Sequence, residues 1–288
     1  MKLVIGSAQM GMRYGLFNKK KISKIDIDKI TRIAQAAKID LIDTASVYGD
    51  SEKIIGKSKL NKFKIITKFK FPKIKNIKPE HWVKREISKS LRNLKVKKIY
   101  AILVHDHKDL MGKIGKEYLN NLKNLKKKGI VKKIGVSIYD TSELEKIWKF
   151  WKPDIVQAPL NPLDNRLVKS RWAYILKKNK VKIYARSIFL QGLLINDFNK
   201  FIKNNTLSKF LINFNNWCLN KNISRIQACL HYIKQFKEID YAIVGFDNSD
   251  QLKEIVKLYK NKRIKIPKKF ITNNEKLIDP RKWNFKVK

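Results

Sequence analysis

The sequence is poor in cysteine and contains no long apolar run. Two cysteines occur among 288 residues, Cys218 and Cys229, and they lack the CxxC spacing of zinc ribbons and redox motifs. No apolar stretch approaches the ~18 residues that a membrane span requires, and the apolar run after Met1 is too short for a signal peptide. These absences argue against a disulfide framework and a membrane anchor, and they predict a cytoplasmic protein.

Acidic residues are also scarce. The chain has 24 Asp and Glu residues against 66 Lys and Arg residues, which gives a formal net charge of +42. Such a charge is typical of proteins that bind nucleic acid or an anionic membrane. Nucleic-acid-binding proteins usually concentrate arginine and aromatic residues in a patch, whereas these lysines are spread along the whole chain. We therefore interpret the charge as a solvated, compositionally biased surface, with a polyanion such as nucleic acid or an acidic substrate as the alternative and no membrane partner.

Short apolar runs alternate with amphipathic segments along the whole chain. Spacing of about 20 to 40 residues per unit suits parallel strands joined by right-handed crossovers. Eight such units predict an α/β fold, a (β/α)8 TIM barrel forming a single domain over residues 1–288. The alternative is a doubly wound open sheet, which is disfavoured because no GxGxxG motif follows the first predicted strand.

The predicted strands are Leu3–Gly6, Ile39–Asp43, Lys64–Phe69, Ile99–His105, Lys133–Ser137, Asp154–Ala158, Lys182–Ser187 and Tyr241–Gly245. The predicted helices are Lys24–Lys38, Ser51–Lys59, Glu80–Leu94, Ile114–Lys128, Thr141–Trp151, Val168–Asn179, a double segment over Leu207–Phe236, and Ser249–Lys260.

Polar side chains stand where three consecutive predicted strands end. Asp43 ends the second strand, Lys68 lies near the end of the third, and His105 ends the fourth. Tyr48 follows in the loop after the second strand. Because the carboxyl ends of barrel strands face one shared mouth, we expect these four groups to converge.

A phenol, an ammonium, a carboxylate and an imidazole together indicate proton transfer to a carbonyl oxygen. Lys68 beside Tyr48 would lower the pKa of the phenol, Asp43 would keep Lys68 charged, and His105 would orient the substrate oxygen. Taken singly, each residue also has a structural interpretation, such as a turn brace for Asp43. His105 and His107 also allow a metal site as a weaker alternative, because residues two apart on a strand share a face.

The segment Asp43–Glu52 reads Asp-Thr-Ala-Ser-Val-Tyr-Gly-Asp-Ser-Glu and resembles the Asp-Thr-Ala-x-x-Tyr-Gly-x-Ser-Glu motif of the aldo/keto reductase family at every fixed position. Lys68 and His105 match the family lysine and histidine, and the resemblance extends over nearly the whole chain. It implies an oxidoreductase that reduces an aldehyde or ketone with NADPH or NADH, with Tyr48 as the general acid. A redox sensor or regulatory barrel without significant turnover is the alternative.

The resemblance also implies a nicotinamide site. Ser137 and Gln157 match the residues that hold the carboxamide, although Ile138 replaces the asparagine that the family places after the serine. Arg186 stands where the family has an aromatic residue that stacks on nicotinamide, and a guanidinium can also stack on a flat ring. Ser187 and Gly192 belong to the segment that would cover the cofactor pyrophosphate.

At the adenosine end, the segment that begins at Gly245 resembles the family's Gly-x-Ser-x-x-x-Gln-Leu-x-Glu, with Gln251 and Glu254 placed to contact adenine and ribose. Asp247 replaces the serine that would meet a 2′-phosphate. A carboxylate there would repel a phosphate and accept hydrogen bonds from a ribose diol. The resemblance to the family by itself implies NADPH, whereas Asp247 makes NADH a competitor for the same site.

Two further features bear on partners. The opening Gly6–Gly11, which contains the predicted cofactor contact Ser7, and the run Arg186–Gly192 resemble a bacterial subgroup of the family associated with surface-sugar biosynthesis. Trp283 and Phe285 could line a substrate pocket or pack under the barrel. A small carbonyl compound is the expected partner, and the chain could be a monomer or a small homo-oligomer.

Overall fold

The computed structural model describes residues 1–17, 21–72, 77–197, 206–272 and 274–283. Its eight strands are all parallel and form a closed barrel in chain order, β1 to β8. The barrel closes where β8 pairs with β1, with Leu3 opposite Ala242 and Ile5 opposite Val244. The strands are β1 Lys2–Gly6, β2 Leu41–Asp43, β3 Lys64–Phe69, β4 Ile99–Val104, β5 Val131–Ser137, β6 Ile155–Pro159, β7 Lys182–Arg186 and β8 Tyr241–Val244.

The predicted (β/α)8 barrel is therefore confirmed, and each predicted strand end lies within two residues of the observed one. The α-helices are Ala8–Gly11, Lys24–Ala36, Ser51–Gly56, Pro79–Leu94, Gly112–Lys127, Thr141–Trp148, Arg166–Lys169, Trp172–Lys178, Thr206–Asn220, Arg225–Lys234, Ser249–Lys260 and Glu275–Ile278. Short 3-10 turns occupy Lys59–Lys62, His107–Leu110, Leu190–Gly192, Lys268–Phe270 and Pro280–Lys282.

One predicted helix, Val168–Asn179, is divided in the structure. Arg171 adopts a left-handed backbone conformation with φ of 65°, so the chain forms two short helices on either side of it. A left-handed residue interrupts the ladder of helical hydrogen bonds. The apolar periodicity continues across the break, which is why the sequence predicts a single helix.

Strand residues alternate between two hydrophobic clusters. On β1, Val4 belongs to the small cluster with Leu103 and Ile155, whereas Leu3 and Ile5 belong to the large cluster shared with the helices. The small cluster fills the barrel interior, since successive strand side chains point to opposite faces. The position two residues beyond the last interior residue of a strand therefore lies on the same face, at the barrel mouth. Seven such pairs occur: Val4 and Gly6, Leu41 and Asp43, Ile66 and Lys68, Leu103 and His105, Ile155 and Gln157, Tyr184 and Arg186, Ile243 and Gly245.

Hydrogen-bonded caps set the starts of several helices that cover the barrel. Ser23 accepts a hydrogen bond from the Asp26 N–H, and Asn248 accepts one from the Gln251 N–H. Each cap satisfies a backbone donor that has no partner within its helix. Across the described parts of the chain, no helix combines the length and the apolar character that crossing a membrane requires.

Glu52, the last residue of the Asp43–Glu52 motif, has a structural role. Its buried carboxylate accepts hydrogen bonds from the hydroxyls of Thr67 at 2.8 Å and Ser90 at 2.9 Å. The Asn93 side-chain amide lies 3.5 Å from the same carboxylate. Glu52 thus joins the helix after the motif loop to β3 and to the helix Pro79–Leu94, and it fixes the loop that carries Tyr48.

We expect Glu52→Ala to lower the free energy of unfolding by about 2 to 4 kcal/mol, because two buried hydroxyls lose their acceptor. Urea unfolding followed by circular dichroism measures the change. Glu145→Ala, at an exposed position of the helix Thr141–Trp148, is the control and should change stability by less than about 0.5 kcal/mol. A Glu52→Ala variant as stable as this control would show that the carboxylate does not hold the elements together.

Candidate active site

A buried ion pair lies at the barrel mouth. Lys68 Nζ is 2.6 Å from Asp43 Oδ2, and both side chains are buried. The same ammonium donates to the Thr44 carbonyl at 2.9 Å and lies 3.4 Å from the Tyr48 hydroxyl. The structure therefore brings together the three groups that the sequence predicts for proton transfer.

His105 completes the cluster. Its ring lies edge-on to the Tyr48 ring with the centroids 5.9 Å apart. Its Nδ1 atom is buried and has no hydrogen-bond partner among the described residues. Burial, with the positive charges of Lys68 and Arg186, lowers the pKa of His105 to about 3. The imidazole is therefore neutral at physiological pH.

The pKa of Tyr48 differs from the sequence expectation. Burial, and then the negative charge of Asp43, raise the pKa of this phenol well above its ordinary value. Lys68 lies next to the phenol, but its positive charge is compensated by Asp43 and does not lower the pKa of Tyr48 as expected. Removal of water also disfavours the charged phenolate. The site thus keeps the proton on Tyr48 at neutral pH, as a proton donor requires.

A single cleft of about 870 Å³, partly open to solvent, runs from this cluster across the barrel mouth. Asp43 and Tyr48 line one part of the cleft. The cleft also contains eight of the ten residues predicted to contact cofactor: Ser7, Gln157, Arg186, Ser187, Gly192, Gly245, Asp247 and Gln251.

Two predicted contacts are not among the described lining residues. Ser137 is buried at the end of β5, where it pairs with Gln157. Glu254 is exposed on the helix Ser249–Lys260. Ser7 does line the cleft, but its hydroxyl already donates to the Asp43 carbonyl at 2.9 Å and accepts from Ser51 at 2.7 Å. The geometry therefore gives Ser7 a structural function at the site.

Gln157 is hydrogen-bonded to the polar cluster at the barrel mouth. Its side-chain amide donates to Asp43 Oδ1 at 2.8 Å, while Lys68 occupies the other carboxylate oxygen. Sequence reasoning places Gln157 at the nicotinamide carboxamide and does not foresee this bond. Asp43 is thus held from two sides, which fixes the position of Lys68 next to Tyr48.

The segment after β7 has an unusual backbone. Ser187, Leu190, Gln191 and Gly192 all have positive φ angles, and a Cβ at Gly192 would come within 2.9 Å of the Asn196 side-chain amide. The Asn161 side-chain amide donates to the Ser187 carbonyl at 3.1 Å and holds the start of the turn. Left-handed residues that persist in a row indicate a turn defined by its surroundings, as is common in ligand-binding loops.

The other end of the cleft is formed after β8. The Asp247 N–H donates to Gln251 Oε1 at 2.7 Å. A Cβ at Gly245 would come within 2.9 Å of the Gln9 side-chain amide, so a larger residue there would crowd the cleft. Asp247 is half-buried in the cleft wall, as the sequence-based cofactor assignment requires.

Sequence reasoning missed several residues of the site. Tyr14 follows β1 and lines the cleft with its ring centroid 6.5 Å from that of Tyr48, and burial raises its pKa to about 12. Tyr139 follows β5 and contacts Arg186. Both tyrosines follow strand ends, and this position is the sequence feature that could have identified them as site residues.

Trp283 packs against the core and donates to the Leu277 carbonyl, and Phe285 lies outside the described residues.

His105 and His107 do not lie on one strand, as the metal-site alternative requires. β4 ends at Val104, and His107 begins a 3-10 turn in which its Nδ1 lies 3.2 Å from Glu143 Oε2. Within the described ranges, no group of three or more His, Cys, Asp or Glu side chains is placed to hold a metal ion.

The fold and the site together define a class of protein. It is a barrel enzyme in which a buried lysine and aspartate and a half-buried tyrosine and histidine lie at one end of a cleft, at the carboxyl-terminal mouth where barrel enzymes carry their active sites.

The particular family follows from a sequence comparison. The sequence model of the aldo/keto reductase family matches residues 2–278, so the chain belongs to that family. Its members are oxidoreductases that reduce carbonyl compounds with NAD(P)H. No curated protein matches the chain at a significant level of sequence similarity.

Solved structures share the fold. The aldo-keto reductase AKR11C1 from Bacillus halodurans, in its holo form, matches with a TM-score of 0.72 and 18% identity over 92% of this chain and 88% of that one. The glycerol dehydrogenase AKR11B4 from Gluconobacter oxydans matches with a TM-score of 0.69 and 20% identity over 91% and 87% of the two chains. At 18% and 20% identity, the similarity between these structures and the present chain shows that they share the barrel fold and no more.

The lowered pKa of His105 predicts a pH dependence of stability. The unfolded chain takes up a proton near the ordinary value of 6.5, whereas the folded chain does so only near 3. Stability from this group is therefore lost as pH falls below 6.5, by about 1 to 2 kcal/mol between pH 7 and pH 5. Urea unfolding at several pH values measures the loss.

His105→Gln should make the stability less dependent on pH over this window, because the titrating group is gone. His81→Gln, at an exposed position, should keep the wild-type dependence. The same pH dependence in His105→Gln and wild type would mean that the imidazole titrates normally in the folded protein.

Proposed function

We propose that this protein reduces an aldehyde or ketone to an alcohol with NAD(P)H, and that Tyr48 donates the proton. The observation that carries the proposal is the Tyr48 hydroxyl 3.4 Å from Lys68 Nζ, in the wall of the cleft that contains the predicted cofactor residues. The raised pKa of the phenol supports an acid role, because the proton is retained until an acceptor arrives.

Each of the four polar residues has a separate role in the proposed reaction. Tyr48 gives its proton to the carbonyl oxygen, and the phenolate that remains lies beside the Lys68 ammonium, which stabilises it. Asp43 keeps that ammonium in place at 2.6 Å. His105, neutral because of its lowered pKa, donates a hydrogen bond to the substrate oxygen and orients it.

The cleft fits a nicotinamide dinucleotide. The absence of a Cβ at Gly192 and Gly245, where one would crowd Asn196 and Gln9, and the turn of left-handed residues after β7 support a long ligand with a phosphate-bearing centre. When bound, the reduced nicotinamide supplies the hydride. Gln157 is hydrogen-bonded to Asp43, so we assign Gln157 and its neighbour in the cleft, Arg186, to the nicotinamide end, and we assign Asp247 and Gln251, which follow β8, to the adenosine end.

We expect Tyr48→Phe to reduce the turnover number by about 10² to 10⁴-fold, since the general acid is removed. The affinity for NADPH and NADH should remain within about threefold, because the phenol acts on the carbonyl oxygen. Steady-state reduction of a panel of aldehydes and ketones and fluorescence titration with each cofactor measure the two effects.

Tyr174→Phe, which removes an exposed hydroxyl, is the matched control and should keep wild-type turnover. Full activity of Tyr48→Phe would reject the assigned role. Tight cofactor binding by the wild type without reduction of any carbonyl would instead favour a regulatory protein.

Asp247 provides a test of cofactor choice. We expect Asp247→Ser to shift the ratio of the two dissociation constants towards NADPH by about tenfold, because a carboxylate no longer faces the 2′-phosphate. Asp250→Ser removes an exposed carboxylate of the next helical turn and should leave the ratio unchanged. Equal ratios in wild type and Asp247→Ser would exclude Asp247 from cofactor selection.

A further inference from the structure

Arg186 has a charge without a counterion. Its two terminal nitrogens donate to the Ser187 hydroxyl and to the Ile138 carbonyl, both at 2.9 Å. Its Cζ atom lies 4.1 Å from the centroid of the Tyr139 ring. These partners are all neutral, and within the described ranges no carboxylate forms an ion pair with this half-buried guanidinium.

Three other cations near Tyr48 and Tyr139 are compensated by carboxylates. Lys68 is paired with Asp43. Arg166 contacts both Asp140 at 2.7 Å and Asp164 at 2.9 Å.

Arg281, although more exposed, is compensated in the same way, because its guanidinium donates to both oxygens of Asp279. Arg186 is therefore the exception among these groups in the described structure. Removing a guanidinium from water without a counterion is unfavourable, and an anionic ligand would offset that cost.

Arg186 lies at the chemical end of the cleft. It ends β7 opposite Pro159 of β6 and lines the same cleft as Tyr48. Its charge also contributes to the lowered pKa of His105, after burial and Lys68, as expected if the guanidinium lies near the imidazole. A negative group bound by Arg186 would therefore be close to the reacting carbon.

The guanidinium is held in a fixed plane. The Ile138 carbonyl and the Ser187 hydroxyl fix its two terminal nitrogens, and Tyr139 supports it with a flat ring. Tyr139 in turn contacts the Arg281 guanidinium, with Cζ 3.6 Å from the ring centroid. A guanidinium that is oriented in advance loses little entropy when it binds an anion.

From this geometry we infer that the substrate is an anionic carbonyl compound, with a carboxylate or phosphate that pairs with Arg186. The inference rests on the proposed function and gives the substrate class for the same site. It assigns Arg186 to the substrate in addition to the flat contact with nicotinamide that its sequence position predicts.

Two pairs of aldehydes that differ in charge test this inference. 4-Carboxybenzaldehyde and 4-formylbenzamide have nearly the same shape, and glyceraldehyde 3-phosphate and glyceraldehyde compare a phosphate with its absence. We expect a wild-type kcat/KM at least tenfold higher for the anionic member of one or both pairs. The pair that shows the preference identifies the anion.

Arg186→Met should lower kcat/KM for the preferred anion by about 10 to 100-fold more than that for its neutral partner, because any loss of the contact with nicotinamide affects both substrates equally. Arg186→Lys, which keeps a positive charge, should retain most of the preference. Arg85→Met, at an exposed position, is the control for loss of overall charge. Equal losses for charged and neutral substrates would overturn the inference, because Arg186 would then act only on the cofactor or the carbonyl oxygen.

A binding measurement separates this inference from the proposed function. Calorimetry with 4-(hydroxymethyl)benzoate, 4-(hydroxymethyl)benzamide and glycerol 3-phosphate, with NADPH present, requires no turnover. Binding of an anion that is lost in Arg186→Met supports the anion site even if no aldehyde is reduced, in which case only the proposed function fails. Absence of any charge preference in both binding and turnover overturns the inference.

Discussion

Closure of the parallel sheet, with β8 hydrogen-bonded to β1, is the constraint on which the rest of the structure depends. A closed barrel has one interior, and the two-residue period of a strand assigns every second side chain to it. The lower interior layer is apolar and contains Ile66 and Leu103. Two residues further along the same strands, the interior positions are Lys68 and His105, so the polar cluster is the next layer of the same packing.

The electrostatics of the cluster follow from its burial. A buried ion pair such as Lys68 with Asp43 contributes little to stability by itself, since desolvation offsets the attraction. Its effect here is positional, because Asp43 is also bound by Gln157 and leaves Lys68 directed at Tyr48. The same desolvation raises the pKa of Tyr48 and lowers that of His105. Both shifts favour the neutral forms, which are a proton donor and a hydrogen-bonding imidazole.

Much of the site could be predicted because it depends on local sequence. Asp43 and Tyr48 lie in one ten-residue motif, and Lys68 and His105 could be placed by finding strand ends. The bond between Gln157 and Asp43 could not, because 114 residues separate the two side chains and only the barrel brings them together. The direction of the Tyr48 shift was also missed, because proximity to a lysine predicts a lower pKa unless burial and the carboxylate are known.

The sequence by itself determined the order of strands and helices, the barrel, and the identity of the four polar groups, because these depend on hydrophobic period and on residue type at strand ends. Only the tertiary structure decided which charges are compensated. Arg166 and Arg186 are both half-buried arginines, yet one meets two carboxylates and the other only neutral atoms. That difference depends on distances between side chains from separate strands and on exclusion of water, and neither quantity is a property of the linear chain.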